Sequence, residues 1–439
     1  MYSNICLGIY IFAWCFLLKK QMKFASGGYL NVSSYVIVLY VLWGVMSYFL
    51  YNSPWFNINC TNTSISILPL AYLFFMVLLF IWPVIRYDRD EVKAIQIPSN
   101  WILYVFLLLY GIATALSLPS RLSEFQDGMA VLFSSDMGGA NLYDERAMEM
   151  GEEGPKDNSL SGLWGMFCVF RTAFSDVGIL IFFFYLSLPN KSRWIVIYFG
   201  LVFFLDLFLC FAVGGRTPFV TNLLTYGLSF FLFRNYWTPK IRYWANRVSL
   251  IVLALSAIPF SILSSSRFGG NLHQGGTLGG IVVYAGQSVL NFDKYAFYVS
   301  DVRNGDRTVN LLKSWMGYDV PSGVLDARMK YWYMDLGDES FSTFVGDFVL
   351  DFGLLVTMLI FGCLSFALMR ITKVSSSTMN FHQMVALFFV LCVSTQGSMY
   401  LFNYSFESNW KIIGFVLAYM VFLFDYGLMR RPRIIHKRL

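Results

Sequence analysis

A chain of 439 residues that is 57% hydrophobic, 19% aromatic and only 13% charged carries about half the charge of an average soluble domain. That composition excludes a soluble multidomain enzyme, a disordered protein and a disulfide scaffold together. The apolar residues fall in runs long enough to cross a bilayer as helices, not in the roughly ten-residue alternating segments of a transmembrane barrel. The expected fold class is an all-α polytopic membrane protein, one integral membrane domain over residues 1–439. Cysteine adds no framework: Cys60 alone sits in a polar stretch, and Cys6, Cys15, Cys168, Cys210, Cys363 and Cys392 lie in apolar ones, where they read as small hydrophobes.

In chain order, the apolar runs predict about 11 spans, over 2–18, 33–51, 66–86, 100–118, 163–188, 194–213, 218–233, 248–265, 343–368, 381–399 and 410–428. No basic residue precedes the first run, and Lys19, Lys20 and Lys23 follow it. That is the reverse of a cleavable signal peptide, so the N-terminus is expected outside. Alternation then makes 19–32, 87–99, 189–193, 234–247, 369–380 and 429–439 cytoplasmic. These segments and their flanks hold most of the 32 Lys and Arg but, of the 26 Asp and Glu, only Asp88, Asp90 and Glu91, as the positive-inside bias requires. The formal net charge of +6 therefore reports orientation, and the Arg430–Arg438 tail reads as a cytoplasmic stop with no nucleic-acid role.

Two outer loops are longer than connections need to be, 119–162 and 266–342. Loops of that length carry function or disorder. The first is rich in Gly, Met and acidic residues. The second holds 280–300, which reads as an amphipathic helix lying on the membrane face, and further on Tyr331-Trp332-Tyr333. No internal repeat is apparent, which argues against a transporter built from paired repeats.

Charges inside spans are costly, about 2.5–3.5 kcal/mol each at the bilayer centre, so they pair or serve function. Arg171 and Asp176 lie in the fifth span, Asp206 in the sixth and Asp425 in the last. Arg216, in Gly214-Gly215-Arg216-Thr217-Pro218, sits in a tight outer turn, and Arg267 closes the eighth span before Gly269-Gly270. A guanidinium grips a phosphate as a bidentate fork, and flanking glycines allow close backbone approach. Pro218 suits a first helical turn, whose N–H groups face an anion. The plainer reading is that each arginine reaches lipid headgroups or an aspartate.

Asp347 and Asp351 stand four apart near the start of the ninth span and share a helix face. They read either as partners of an arginine and the helix dipole, or as a general base. His273 is the one histidine of the outer half. It has no neighbouring ligand set, so no metal is expected.

The GGRTP turn, the arginine before a long outer loop and the segment Ser340-Phe341-Ser342-Thr343-Phe344 through Asp347-Phe348 and Asp351-Phe352-Gly353 together resemble the Wzy-type oligosaccharide repeat-unit polymerases. These make O-antigen and capsule in bacterial inner membranes. The resemblance implies a GT-C-like glycosyltransferase that needs no metal or other cofactor. It would move a growing glycan from undecaprenyl pyrophosphate to a hydroxyl of a lipid-linked repeat unit at the outer leaflet, with a chain-length regulator as a possible partner. Arg216 and Arg267 would bind the pyrophosphate, with Arg171 a third candidate. Asp347, Asp351 or His273 would take the proton. Tyr284, Tyr295, Trp332 and Tyr333 would face sugar rings, or else pack and anchor at the interface as aromatic residues commonly do. Two alternatives stay open: an O-antigen ligase, which His273 favours, and a flippase or transporter of lipid-linked oligosaccharides.

Overall fold

The computed structural model describes residues 2–24, 30–54, 64–90, 92–134, 163–210, 216–268, 276–321, 324–334, 342–374, 377–399, 406–428 and 433–437. The chain is overwhelmingly helical. A helix covers every expected span: α1 (Tyr2–Met22), α2 (Val32–Tyr51), α3 (Ile67–Arg89), α4 (Asn100–Ser134), α5 (Leu163–Ala173), α6 (Ser175–Tyr185), α7 (Arg193–Leu209), α8 (Arg216–Phe233), α9 (Pro239–Phe268), α13 (Thr343–Ile371), α14 (Phe381–Gln396) and α15 (Phe406–Leu428). Between α9 and α13 lie α10 (Gly276–Asn291), a π-helical turn (Phe292–Ala296), α11 (Asn310–Trp315), α12 (Val324–Lys330) and a 3-10 turn (Trp332–Met334).

Among the described residues, 6 helices are long and apolar enough to cross a membrane, namely α1, α2, α3, the Asn100–Pro119 part of α4, α13 and the Asn409–Leu428 part of α15. A seventh span arises if α5 and α6, bent by 61° at their junction, are one. The other runs, in α7, α8, α9 and α14, do not meet that length and apolarity.

The chain divides into two compact units. In the first (1–91, 273–373 and 387–409), α2 packs against α1 and α10, and α3 against α13. Gly286 makes the α2–α10 approach possible: a Cβ there would stand 2.6 Å from the Met46 carbonyl oxygen. Ser47 Oγ donates to Gly286 O at 2.7 Å across the same seam. From 279 to 297 no residue is exposed: the helical part of the expected 280–300 element is packed within the unit.

The second unit (92–272, 374–386 and 410–439) joins α4 to α5 and α7, and α8 to α6 and α7. It also holds a small sheet in the order β2-β1-β3. Strand β1 (Ala94–Ile97) pairs parallel with β2 (Thr378–Met379) and antiparallel with β3 (Arg433–His436). Helix α4 runs on to Ser134, so the first residues of the expected 119–162 loop are helical. Its remainder lies outside the described residues.

Candidate functional site

Two charged clusters stand out, one in each unit. In the second unit, three helices converge on one carboxylate. Asp206 of α7 receives Arg171 of α5, whose Nη2 lies 2.8 Å from Oδ1, and Arg121 of α4 at the same oxygen. All three side chains are largely buried, each no more than 20% exposed. Two guanidinium groups therefore meet one carboxylate between apolar helices. Beyond Asp206 in the last turn of α7, the Cys210 thiol donates to the Asp206 carbonyl at 3.0 Å and receives Asn222 Nδ2 at 3.3 Å. The floor is apolar, formed by Leu207, Cys210 and Phe219 with Phe208 and Tyr226 packed against them.

The other charges inside spans also have partners. Lys411 Nζ lies 3.5 Å from Asp176, and Asp425 accepts the Ser99 N–H at 2.8 Å.

In the first unit, the turn 301–308 docks on the start of α13. Arg307 Nε lies 2.6 Å from Asp347 Oδ1, with both side chains almost fully buried. One turn on, Asp351 Oδ2 accepts the N–H groups of Arg307 (3.2 Å) and Thr308 (2.7 Å). The helix breaks just beyond, at Gly353, with φ 76° and ψ 170°. That φ favours glycine. The break orphans the carbonyls before it, and Arg303 N–H supplies Leu350 O at 2.9 Å; beyond it, Tyr72 Oη also donates to Leu354 O at 2.7 Å. The first half of α13 is thus buried against polar partners, and the second exposes Leu355, Val356, Met358 and Leu359.

Asp306 of the same turn is a hub. It receives Lys313, Lys330 (2.9 Å) and the Tyr331 hydroxyl. Burial works against its charge, but these three donors outweigh it and hold the Asp306 carboxyl below its ordinary value. Burial and the neighbouring Asp306 push the Tyr331 phenol up. Arg303 lies over the Tyr331 ring, 5.4 Å from its centroid.

Among the residues singled out by sequence, the structure gathers Asp347 and Asp351 on one buried face and joins Arg171 to Asp206. Arg216 is the first residue of α8 and Arg267 lies in the last turn of α9, but their side chains, and His273 entirely, lie outside the described residues. Tyr284 and Tyr295 are half-buried, while Trp332 and Tyr333 are exposed. Sequence reasoning missed Arg121, Arg303, Asp306 and Arg307. Arg121 was hidden by counting 119–162 as loop. The other three had a signal, two arginines four apart around Asn304-Gly305, a turn-forming pair.

Compared with known protein families, curated proteins and solved structures, the chain matches none.

Proposed function

We propose that this protein is an oligosaccharide repeat-unit polymerase of the bacterial cytoplasmic membrane. In this reading it has about 11 spans in a GT-C-like arrangement, with its N-terminus outside and its basic tail cytoplasmic. The observation that carries the reading is the pair Arg121 and Arg171 on one oxygen of Asp206. Among the described residues two guanidinium groups share this one carboxylate, Arg121 just past the apolar Asn100–Pro119 stretch of α4 and Arg171 in α5, an arrangement that favours an anion at the membrane surface. A pyrophosphate on a lipid carrier supplies such an anion in the place where its carrier resides. Its oxygens also match the guanidinium fork. Arg216 and Arg267 are further guanidinium groups for the same ligand.

The reaction follows from that binding. A hydroxyl oxygen of the acceptor repeat unit attacks the anomeric carbon of the donor glycan as the bond from that carbon to the pyrophosphate oxygen breaks. The electron pair leaves on undecaprenyl pyrophosphate, where arginine charge stabilises it. The hydroxyl proton passes to a general base beside the acceptor.

The test is complementation of a deletion strain with Arg171→Ala and with Arg121→Ala. Both variants should insert in the membrane yet leave single repeat units at the outer leaflet and no long chains. A normal chain-length ladder from both would overturn the reading. Polymer retained on undecaprenyl pyrophosphate would select the ligase, and repeat units trapped inside would select the flippase.

A further inference from the structure

We infer that residues 310–321 and 324–333 form a lipid-binding foot whose exposed residues seat in the headgroup layer of an anionic bilayer. On α11, Leu312, Trp315 and Met316 are exposed, at i, i+3 and i+4. At the end of α12 and in the turn after it, Met329, Trp332 and Tyr333 repeat that spacing and are exposed too. Leu312 and Trp315 share one side of α11, and Met316 stands at its end. Beside these residues Leu311, at 6% exposure, and Tyr331, at 8%, are buried. Exposed apolar side chains thus lie next to residues that fix both segments to the unit.

Asp306 clips the two together. It holds Lys313, from the middle of α11, and Lys330, the last residue of α12. Lys330 Nζ also donates to Asp319 O at 2.8 Å, and Lys313 Nζ stands 5.8 Å from the Tyr318 ring centroid, another exposed aromatic. Asp326, one turn before Met329, is half-buried.

The chemistry of these faces selects the occupant. Trp and Tyr concentrate at the headgroup level of bilayers, where an apolar ring and a polar tip are both satisfied. Leu and Met beside them favour the acyl boundary, and offer a sugar neither a flat ring nor a hydrogen bond. Lys330, its side chain 37% exposed, offers an ammonium group to lipid phosphate beside them. The chain's own apolar helices guarantee a bilayer beside the protein. The inference stands on this surface alone, whether or not the arginines of the second unit bind pyrophosphate.

The test uses Met316→Cys and Met329→Cys, each in the full chain with its native cysteines replaced, labelled with an environment-sensitive fluorophore and placed in nanodiscs containing anionic lipid. Both labels should shift to the blue, lose intensity when headgroup-depth spin-labelled lipid is included, and be shielded from aqueous iodide. Labels that iodide quenches freely and spin-labelled lipid does not would overturn the inference. So would shielding that persists in dilute detergent and follows protein concentration, which means a second copy, or shielding that needs added oligosaccharide. In the chain without cysteine changes, Trp315→Phe with Trp332→Phe should reduce the emission that brominated lipid quenches. An unchanged quenchable fraction would count against the foot independently of labelling.

Discussion

Arg171 donates from Nη2 to Asp206 Oδ1 at 2.8 Å, joining two apolar helices through a charge that Arg121 already engages at the same oxygen. Among the described residues two guanidinium groups thus share one carboxylate. Asp206→Ala would leave two guanidinium groups without their carboxylate. Breaking a buried pair from one side costs about 3–5 kcal/mol, so thermal unfolding in detergent should show a large loss. Added inorganic pyrophosphate should recover part of it by binding the freed arginines.

Arg171→Lys separates charge from geometry. Lysine keeps the positive charge but loses the planar fork. Chain polymerisation in complemented cells should fall nearly as far as with Arg171→Ala, while protein level in the membrane stays close to wild type. Wild-type polymer from the lysine variant would mean that charge alone suffices.

The buried pair Arg307–Asp347 is a structural joint. Arg307→Ala or Asp347→Ala singly should each destabilise by about 3–5 kcal/mol. The double variant should be milder than the two added together, because neither change then strands a buried charge. A double-mutant cycle on thermal unfolding reads this coupling. Strict additivity would show that the two residues do not act as a pair.

Much of this architecture is legible in the sequence because a bilayer imposes one dominant signal. Each apolar run becomes a helix, and the four-residue spacing of Asp347 and Asp351 does place both on one face. What cannot be read is pairing between segments distant in the chain. Nothing local to Asp347 points 40 residues back to Arg307, and nothing in Gly280–Ser300 says that Gly286 would let α2 close on it. Arg121 was obscured by a boundary error. A helix that crosses a membrane need not end at the hydrocarbon edge, and α4 carries its polar continuation well past Pro119.

Gly286→Ala should be destabilising by about 1–3 kcal/mol, the usual cost of overpacking. The added methyl would meet the Met46 carbonyl and the Leu50 Cβ, 2.6 and 2.9 Å away, and backbone cannot rotate aside. A lowered unfolding midpoint in detergent checks this, and an unchanged midpoint would mean that α2 and α10 separate freely.

Asp293 predicts a pH dependence. It lies in the π-helical turn and accepts the Ser66 N–H at the entrance to α3 at 3.2 Å. Burial raises its carboxyl from 3.8 to about 6, with the Ser66 hydrogen bond opposing the rise. The native state then holds a proton that the unfolded chain releases, so this group's contribution to stability falls as pH rises between about 4 and about 6. Asp293→Asn should flatten the slope in that window in unfolding midpoints measured against pH. An identical slope in the variant would contradict the assignment.

Polymerase activity is read by giving the purified protein, in nanodiscs, an undecaprenyl-pyrophosphate-linked repeat unit from its own source and following both products. A polymerase that works through these arginines gives longer lipid-linked glycans with release of one undecaprenyl pyrophosphate per bond formed, and loses both in Arg121→Ala and Arg171→Ala. Glycan of unchanged length with the wild-type protein, or elongation that both arginine variants sustain at the wild-type rate, would contradict this reading.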